Sequence, residues 1–173
     1  MEVGYYAGNR ERLYKKLCPG ELLAIFSGED VWKTGDECYP FFTERNFVYL
    51  TGLRCKSAVL LAIKDADSSV QERLYILPPD AHAERWTGTR VKPHEAEAIS
   101  GVKDIRFTTA FDSDFKALAY SGNYGRIYLD LYRFTPSDAD RASHKFLHVV
   151  QREYPYLQIG NADALLRELR LIK

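Results

Sequence analysis

The apolar run at residues 58–63, Ala-Val-Leu-Leu-Ala-Ile, constrains the fold of this chain more than any other segment. A strand with one face in water alternates apolar and polar residues, whereas an unbroken apolar strand is typical of a sheet that is covered on both faces. The run is also far shorter than the ~20 residues that cross a bilayer. It therefore predicts a central strand with helices on each side of the sheet, and no membrane-spanning segment.

Further strands and helices alternate along the chain. Short apolar or β-branched runs predict strands at residues 22–26, 73–77, 104–108 and 126–131, with residues 65–71 as a hairpin loop. Cap residues and helical spacing predict helices after Asn9, around residues 47–50 before Gly52, at Pro93–Ser100, at 114–120 after Ser113, at 137–153 and at 162–173. This order is typical of an α/β fold.

Length and charge narrow the function. The 173 residues suit one domain, and 46% of them are hydrophobic, which is enough for a core. Lysine and arginine total 24, as do aspartate and glutamate, so the basic excess typical of nucleic-acid binding is absent. The polar start of the chain predicts no export leader and hence the cytoplasm. Without C-x-x-C spacing, we expect Cys18, Cys38 and Cys55 to be reduced thiols.

Candidate catalytic groups are few. His144 and His148 have the i, i+4 spacing of zinc ligands, but Lys145 stands where metalloproteases carry glutamate. The pair is predicted to lie opposite the apolar stripe, facing solvent or a partner. Asp130 is the only acidic residue inside a predicted strand, and we expect it to meet a hydrogen-bonding neighbour or a solvated sheet end. Serine-nucleophile and phosphate-loop motifs are absent from the sequence. These residues predict no metal site and no catalytic centre.

Two aromatic segments carry the remaining signal. Residues 39–52 read Tyr-Pro-Phe-Phe-Thr-Glu-Arg-Asn-Phe-Val-Tyr-Leu-Thr-Gly, which indicates core packing around a short helix. Residues 84–90, Glu-Arg-Trp-Thr-Gly-Thr-Arg, place Trp86 between charged residues in a predicted loop. A tryptophan in that setting is either a core anchor or an interface anchor.

Both segments, in this order and spacing, resemble the N-terminal domain of Xaa-Pro aminopeptidases, the aminopeptidase P and creatinase/prolidase family. The opening helix and the closing segment Glu-Leu-Arg-Leu-Ile-Lys extend the resemblance over nearly the whole chain. The family implies a mixed sheet flanked by helices on both faces, similar to ribonuclease H. It also implies a domain at residues 1–160, then a linker helix at 161–173 that leads to a catalytic "pita-bread" domain outside this sequence. The apolar stripe of the last helix independently predicts that the chain continues.

The resemblance also implies a division of labour. Two divalent metals, usually manganese, would lie in the catalytic domain, with none in this segment, which alone is predicted inactive. This segment would contact its own catalytic domain, form a dimer or tetramer, and wall the entrance for proline-containing peptides. The candidates for that wall or for subunit contacts are Trp86, Arg85, Arg45 and Tyr49, without a role for nucleic acid or a membrane.

One departure from the family pattern and two alternative functions qualify the resemblance. Many family members carry Arg-Gln after Tyr-Pro-Phe, where this chain has Phe42 and Thr43, so no role of that arginine transfers. A creatinase-like or catalytically inactive relative that acts as a binding or assembly module remains an alternative. A free-standing nuclease with a ribonuclease-H-like fold would need acidic residues on the first strand, and residues 22–26 contain none.

Overall fold

The computed structural model describes residues 3–171 and contains one mixed sheet of six strands in the order β4-β3-β2-β1-β5-β6. The strands are β1 (Glu21–Phe26), β2 (Val59–Lys64), β3 (Val70–Ile76), β4 (Asp104–Phe107), β5 (Arg126–Leu129) and β6 (Gln158–Asn161). β2 pairs antiparallel with β1 and β3, and the other pairings are parallel. Five strands therefore point the same way, and their carboxyl ends lie at one edge, hereafter the carboxyl edge.

Helices cover both faces of the sheet, which confirms the predicted α/β architecture. They are α1 (Val3–Tyr14), α2 (Arg45–Thr51), α3 (Ala81–Thr87), α4 (Pro93–Ser100), α5 (Phe111–Tyr120), α6 (Ala142–Glu153) and α7 (Asp163–Leu171). α1, α2, α4 and α7 pack with Leu60 and Ala62 of β2, whereas α5 and α6 pack with Leu61 and Ile63. Alternate side chains of the apolar run thus enter opposite cores, which explains why the run contains no polar residue. None of the helices over residues 3–171 has the length and apolarity to span a membrane.

Arg10 of α1 joins four elements inside the first core. It is 2% exposed, and its Nε lies 2.9 Å from Glu72 Oε1 of β3. Its Nη1 donates to the carbonyls of Leu50 and Ser100, at 2.8 and 2.9 Å, where α2 and α4 end. Carbonyls in the last turn of a helix lack intrahelical partners, so one buried guanidinium satisfies two helix ends and a carboxylate.

The first helix begins earlier than predicted. α1 starts at Val3, so Asn9 lies inside the helix and is not its cap. Its side chain is buried, and Nδ2 donates to the Tyr49 carbonyl at 2.8 Å. The Asn9 amide, which suggested a helix cap, instead forms a contact between α1 and α2. The local sequence does not encode such a contact.

Three other local predictions need correction. Residues 84–90 were expected to form a loop, but Ala81–Thr87 is a short helix that Asp80 caps through the amides of His82 and Ala83. β6 has too few apolar residues to give a strand signal, and it forms because it pairs with β5. α5 starts at Phe111, so Ser113 lies in its first turn and donates to the Ala110 carbonyl.

The last described helix packs on this domain. Leu166 and Leu169 of α7 are buried in the same core as α1, and Lys16 lies 2.6 Å from Glu168. The amphipathic helix predicted at residues 162–173 is therefore present, but these two leucines face the domain's own core. Ile172 and Lys173 of the predicted helix lie outside the described residues. The boundary at residue 160 stays a prediction.

Candidate functional surface at the carboxyl edge

Three long connections leave the sheet at the carboxyl edge. They are residues 27–44 after β1, residues 77–92 after β3, and residues 130–141 after β5. In open α/β sheets, ligands bind outside the carboxyl ends of the parallel strands, because the loops and helix ends there supply side chains and unpaired backbone groups. This edge is therefore where a functional surface is expected.

α3 carries two of the predicted site residues, Trp86 and Arg85, out from the second connection. All of its residues are at least partly exposed, and Trp86 is 82% exposed. Its fold depends on its ends, because Asp80 accepts the amides of His82 and Ala83 at 3.1 and 3.0 Å and Gly88 follows with φ 84°. These backbone hydrogen bonds, chiefly that from Ala83, lower the pKa of Asp80. Trp86 is not a core anchor of this chain.

α2 carries the other two predicted residues, Arg45 and Tyr49, one turn apart. Arg45 is exposed at the first position of the helix. The Tyr49 ring is half-buried against α1, with its centroid 6.3 Å from that of Tyr5 in an edge-on arrangement and its hydroxyl 3.5 Å from Arg12 Nη2. Tyr49 thus faces α1, and no hydrogen bond, ion pair or ring contact in the described structure joins this pair to Arg85 or Trp86.

A polar group that the sequence did not single out lies between α2, α6 and α7, and we call it the edge cluster: Glu44, Asn46, Asp130, Arg141 and Arg170. Asn46 donates to Asp130 Oδ2 at 2.7 Å and accepts from Arg170 at 3.1 Å. Arg141 contacts both oxygens of Glu44, at 3.1 and 3.4 Å. Asp130 lies directly after β5, and its hydrogen bond confirms the first of its two predicted settings. The cluster connects α2 and α7 to the end of the sheet.

The edge cluster sets two partly buried carboxylates beside two arginines. Burial raises the pKa of Glu44, and the Asp130 charge adds to this, whereas Arg141 acts in the opposite direction. Asp130 Oδ1 is buried without a hydrogen-bond partner among residues 3–171. Two guanidinium groups accompany two carboxylates, so the charges are matched. The individual residues are polar singletons in the sequence, and only the meeting of three chain segments reveals the group.

The two histidines do not form a ligand pair. α6 begins at Ala142, not at residue 137, so His144 falls in the first turn and its Nδ1 accepts the Arg141 amide at 3.4 Å. His144 is 3% exposed, and burial lowers its pKa, with the Arg133 charge acting the same way. The prediction that both rings face solvent is wrong for His144 and right for His148, which is exposed and lies 2.9 Å from Asp140.

Metal donors are dispersed. Over residues 3–171, histidine, cysteine, aspartate and glutamate form no group of three or more that could hold a metal ion. The three cysteines are free thiols, and burial raises the pKa of Cys55 to about 11. Within the described part of the chain, the donor set therefore does not fit a two-metal centre.

Exposed apolar side chains are concentrated at the carboxyl edge. Phe42 is 84% exposed, Phe134 82% and Trp32 68%, and all three belong to connections at this edge, as does Trp86. Large exposed aromatics in the connections at one edge of a sheet are typical of an interaction surface. Sequence reasoning identified Trp86 alone as a contact residue, and its prediction of core packing for residues 39–52 is wrong for Phe42 and Tyr39, which are exposed. Trp32 and Phe134 were not singled out.

Comparison with known proteins assigns this chain to a family. The family model described as "Aminopeptidase P, N-terminal domain" matches residues 6–128. Xaa-Pro aminopeptidase 2 of Streptomyces coelicolor is 31% identical over 121 residues, which cover 63% of this chain and 26% of that protein. The Xaa-Pro aminopeptidase of Escherichia coli is 32% identical over 93 residues, 54% of this chain and 21% of that protein. The chain thus spans about a quarter of the length of these relatives.

Solved structures extend the likeness to the whole chain. A protein assigned as an aminopeptidase P, from Bacillus anthracis, superposes with a TM-score of 0.94 at 31% identity and covers 100% of this chain and 41% of its own. Aminopeptidase P from E. coli with the inhibitor Pro-Leu gives 0.82 at 21% identity, over 100% and 39%, which supports the fold alone. The E. coli protein is also known in a zinc-substituted form with product. The family-model match over residues 6–128, more than half of the chain, establishes that this chain belongs to the aminopeptidase P N-terminal domain family.

Proposed function

We propose that this chain is the non-catalytic N-terminal domain of an Xaa-Pro aminopeptidase, a metallopeptidase that removes the residue before proline. Its tasks would be to wall the entrance to the active site and to form subunit contacts in a dimer or tetramer. The observation that carries the proposal is Trp86, 82% exposed on a helix with no buried residue, at the edge where five strands end. A large aromatic ring held in water on a capped helix is explained when a partner or substrate covers it.

Charge placement supports the same role for Arg85 and Arg45. Both are exposed, and neither makes a hydrogen bond or an ion pair in the part of the chain that the structure describes. Uncommitted guanidinium groups beside aromatic rings are typical of interface rims and of peptide-carboxylate recognition. We assign Trp86 and Arg85 to the entrance wall. Arg45 and Tyr49, which is already braced by α1, are assigned to subunit contact.

Catalysis is assigned to a separate domain. Over residues 3–171 the carboxylates and histidines form no group of three or more that could hold a metal ion, which supports this assignment. We propose that two divalent metals, assigned as manganese, are held by the catalytic domain, where they would activate water for peptide hydrolysis. This chain would then affect turnover only through access and orientation of the peptide.

The test uses the full-length peptidase with Trp86→Ala. Loss of the wall is expected to raise KM or lower kcat for an Xaa-Pro peptide, with metal content unchanged. Tyr120→Ala is the matched control, because Tyr120 is an exposed aromatic on α5, which ends at the opposite edge of the sheet. Unchanged kinetics in Trp86→Ala, or an equal change in Tyr120→Ala, would remove Trp86 from the wall.

The assembly role is tested separately. Arg45→Ala and Arg85→Ala are examined by analytical ultracentrifugation, with stability followed by thermal unfolding. A contact role for Arg45 predicts weaker association and an unchanged melting temperature, because its side chain has no described partner within the chain. A monomeric wild-type protein, or identical association of Arg45→Ala and wild type, contradicts that role.

A further inference from the structure

A small cavity opens at the carboxyl edge beneath residues 87–91, between the end of β3 and the segment that enters β2. Its volume is about 250 Å³. Pockets for drug-sized ligands measure about 300–1,000 Å³, so this one suits a single residue or a group of similar size. Phe41, Leu77 and Val91 provide an apolar wall.

The lining is rich in positive charge. Arg54, Lys56 and Arg90 face a single carboxylate, Asp30, which forms an ion pair with Lys56. Arg90 donates to the Pro78 carbonyl at 2.5 Å and its Nη2 lies 3.5 Å from Asp80 Oδ2, so its charge already has a partner within the fold. The cavity therefore keeps a net positive charge after its internal pair is counted.

Arg54 is the uncommitted group of this lining. It is exposed, and over residues 3–171 its guanidinium has no hydrogen bond or ion pair. Cys55 beside it adds no negative charge at neutral pH, because burial raises the pKa of its thiol to about 11. A guanidinium binds a carboxylate through two parallel hydrogen bonds, and such charge-assisted bonds are about twice as strong as neutral ones.

We propose that this cavity binds the C-terminal residue of a peptide, with the free carboxylate on Arg54 and an apolar side chain against Phe41, Leu77 and Val91. A bare inorganic anion would leave the apolar wall uncovered, and a purely apolar group would leave the positive charge unanswered. The volume of the cavity suits one terminal residue, and the rest of the peptide would lie outside it. Because α3, which carries Trp86, borders the cavity, we take the bound peptide to be a substrate, and this part of the proposal rests on the proposed function. The binding of a peptide carboxylate to the cavity is independent of that function.

The test is a titration of the 173-residue chain with N-acetyl-Gly-Leu as the free acid and as its C-terminal amide, followed by NMR of the backbone amides and by calorimetry. The free acid is expected to shift amides of residues 54–56 and 87–91 and to bind about tenfold or more tightly than the amide, because the amide loses the charge-assisted pair. Equal affinities of the acid and the amide would overturn the proposal. It would also be overturned if inorganic phosphate displaced the peptide acid and bound with the same affinity.

Variants make the assignment specific. Arg54→Gln is expected to weaken binding of the acid about tenfold, Arg54→Lys less so, and Thr89→Trp to block the cavity with Arg54 intact. Arg152→Gln is the control, since Arg152 is exposed on α6, which packs on the opposite face of the sheet. Wild-type binding by Arg54→Gln, or a loss in Arg152→Gln of the same size, refutes the site. No catalysis enters this titration, so its outcome is separable from the kinetics of Trp86→Ala.

Discussion

Replacing Arg10 with methionine is expected to destabilise the domain by about 3–5 kcal/mol, the typical cost of removing one partner of a buried ion pair. The structure explains the size of the loss. Methionine fills a similar volume, but Glu72 loses its cation, and the carbonyls of Leu50 and Ser100 lose their donor at the ends of α2 and α4. For a chain of this length the loss corresponds to about 6–20 °C in melting temperature.

Urea unfolding at neutral pH, followed by circular dichroism, measures this free energy. Arg10→Lys is expected to fall between wild type and Arg10→Met, because one ammonium group cannot reach two carbonyls and a carboxylate together. Lys16→Met is the control. Lys16 pairs with the exposed Glu168, and such surface pairs contribute at most about 1 kcal/mol. If Arg10→Met loses no more than Lys16→Met, Arg10 does not join the helix ends as argued.

Three further predictions concern single positions. Gly52→Ala is expected to destabilise by about 1–2 kcal/mol, since Gly52 has φ 74° and a Cβ there would overlap a tyrosine ring of α1. Gly8→Ala, with open space inside α1, should instead stabilise by about 0.5–1 kcal/mol in the same urea assay. At pH 8, iodoacetamide should alkylate exposed Cys18 well before Cys55, whose raised pKa of about 11 keeps the thiol protonated, and equal rates by mass spectrometry would contradict this. Asp114→Asn should lower the free energy of unfolding by about 1–2 kcal/mol at neutral pH. Burial alone would raise the pKa of Asp114, but hydrogen bonds from an arginine and a tyrosine lower it, so the stabilisation by the carboxylate is lost in acid. The difference between variant and wild type should therefore vanish as the pH falls below about 4, and a constant difference down to pH 2 would refute the assignment.

The architecture was predictable because the strongest signals were local. The unbroken run at residues 58–63 fixed the central strand, and the glycines at 52 and 101 ended α2 and α4 with φ 74° and 77°, as their positions indicated. β6 was not predictable, since Gln-Ile-Gly-Asn is not an apolar pattern, and the strand exists because β5 supplies its partners. Pairing with a distant segment decides such a strand, and a single sequence does not record it.

The surface was only partly predictable for a similar reason. Trp86 was visible as a tryptophan between charges, but its helix was not, because the cap Asp80 looks like an ordinary turn residue until its side chain is seen on two amides. His144 has the sequence spacing of an exposed ligand, yet it lies in the first turn of α6, where its buried ring accepts the Arg141 amide. The edge cluster depends on contacts of Asn46 with Asp130 and Arg170, which are separated from it by 84 and 124 positions in the sequence. No periodicity encodes such contacts.

The order of strands in the sheet has a consequence for biosynthesis. β1 lies between β2 and β5, and the pairing of Glu21 with Arg126 spans 105 residues. While the nascent chain emerges from the ribosome, β1 to β4 are complete before β5 exists. During that interval one border of β1, an apolar strand, presents free amides and carbonyls that can template pairing with another copy. A chain interrupted before Arg126 is therefore expected to aggregate. Pairing with β5 satisfies these backbone groups of β1 and removes that site of association.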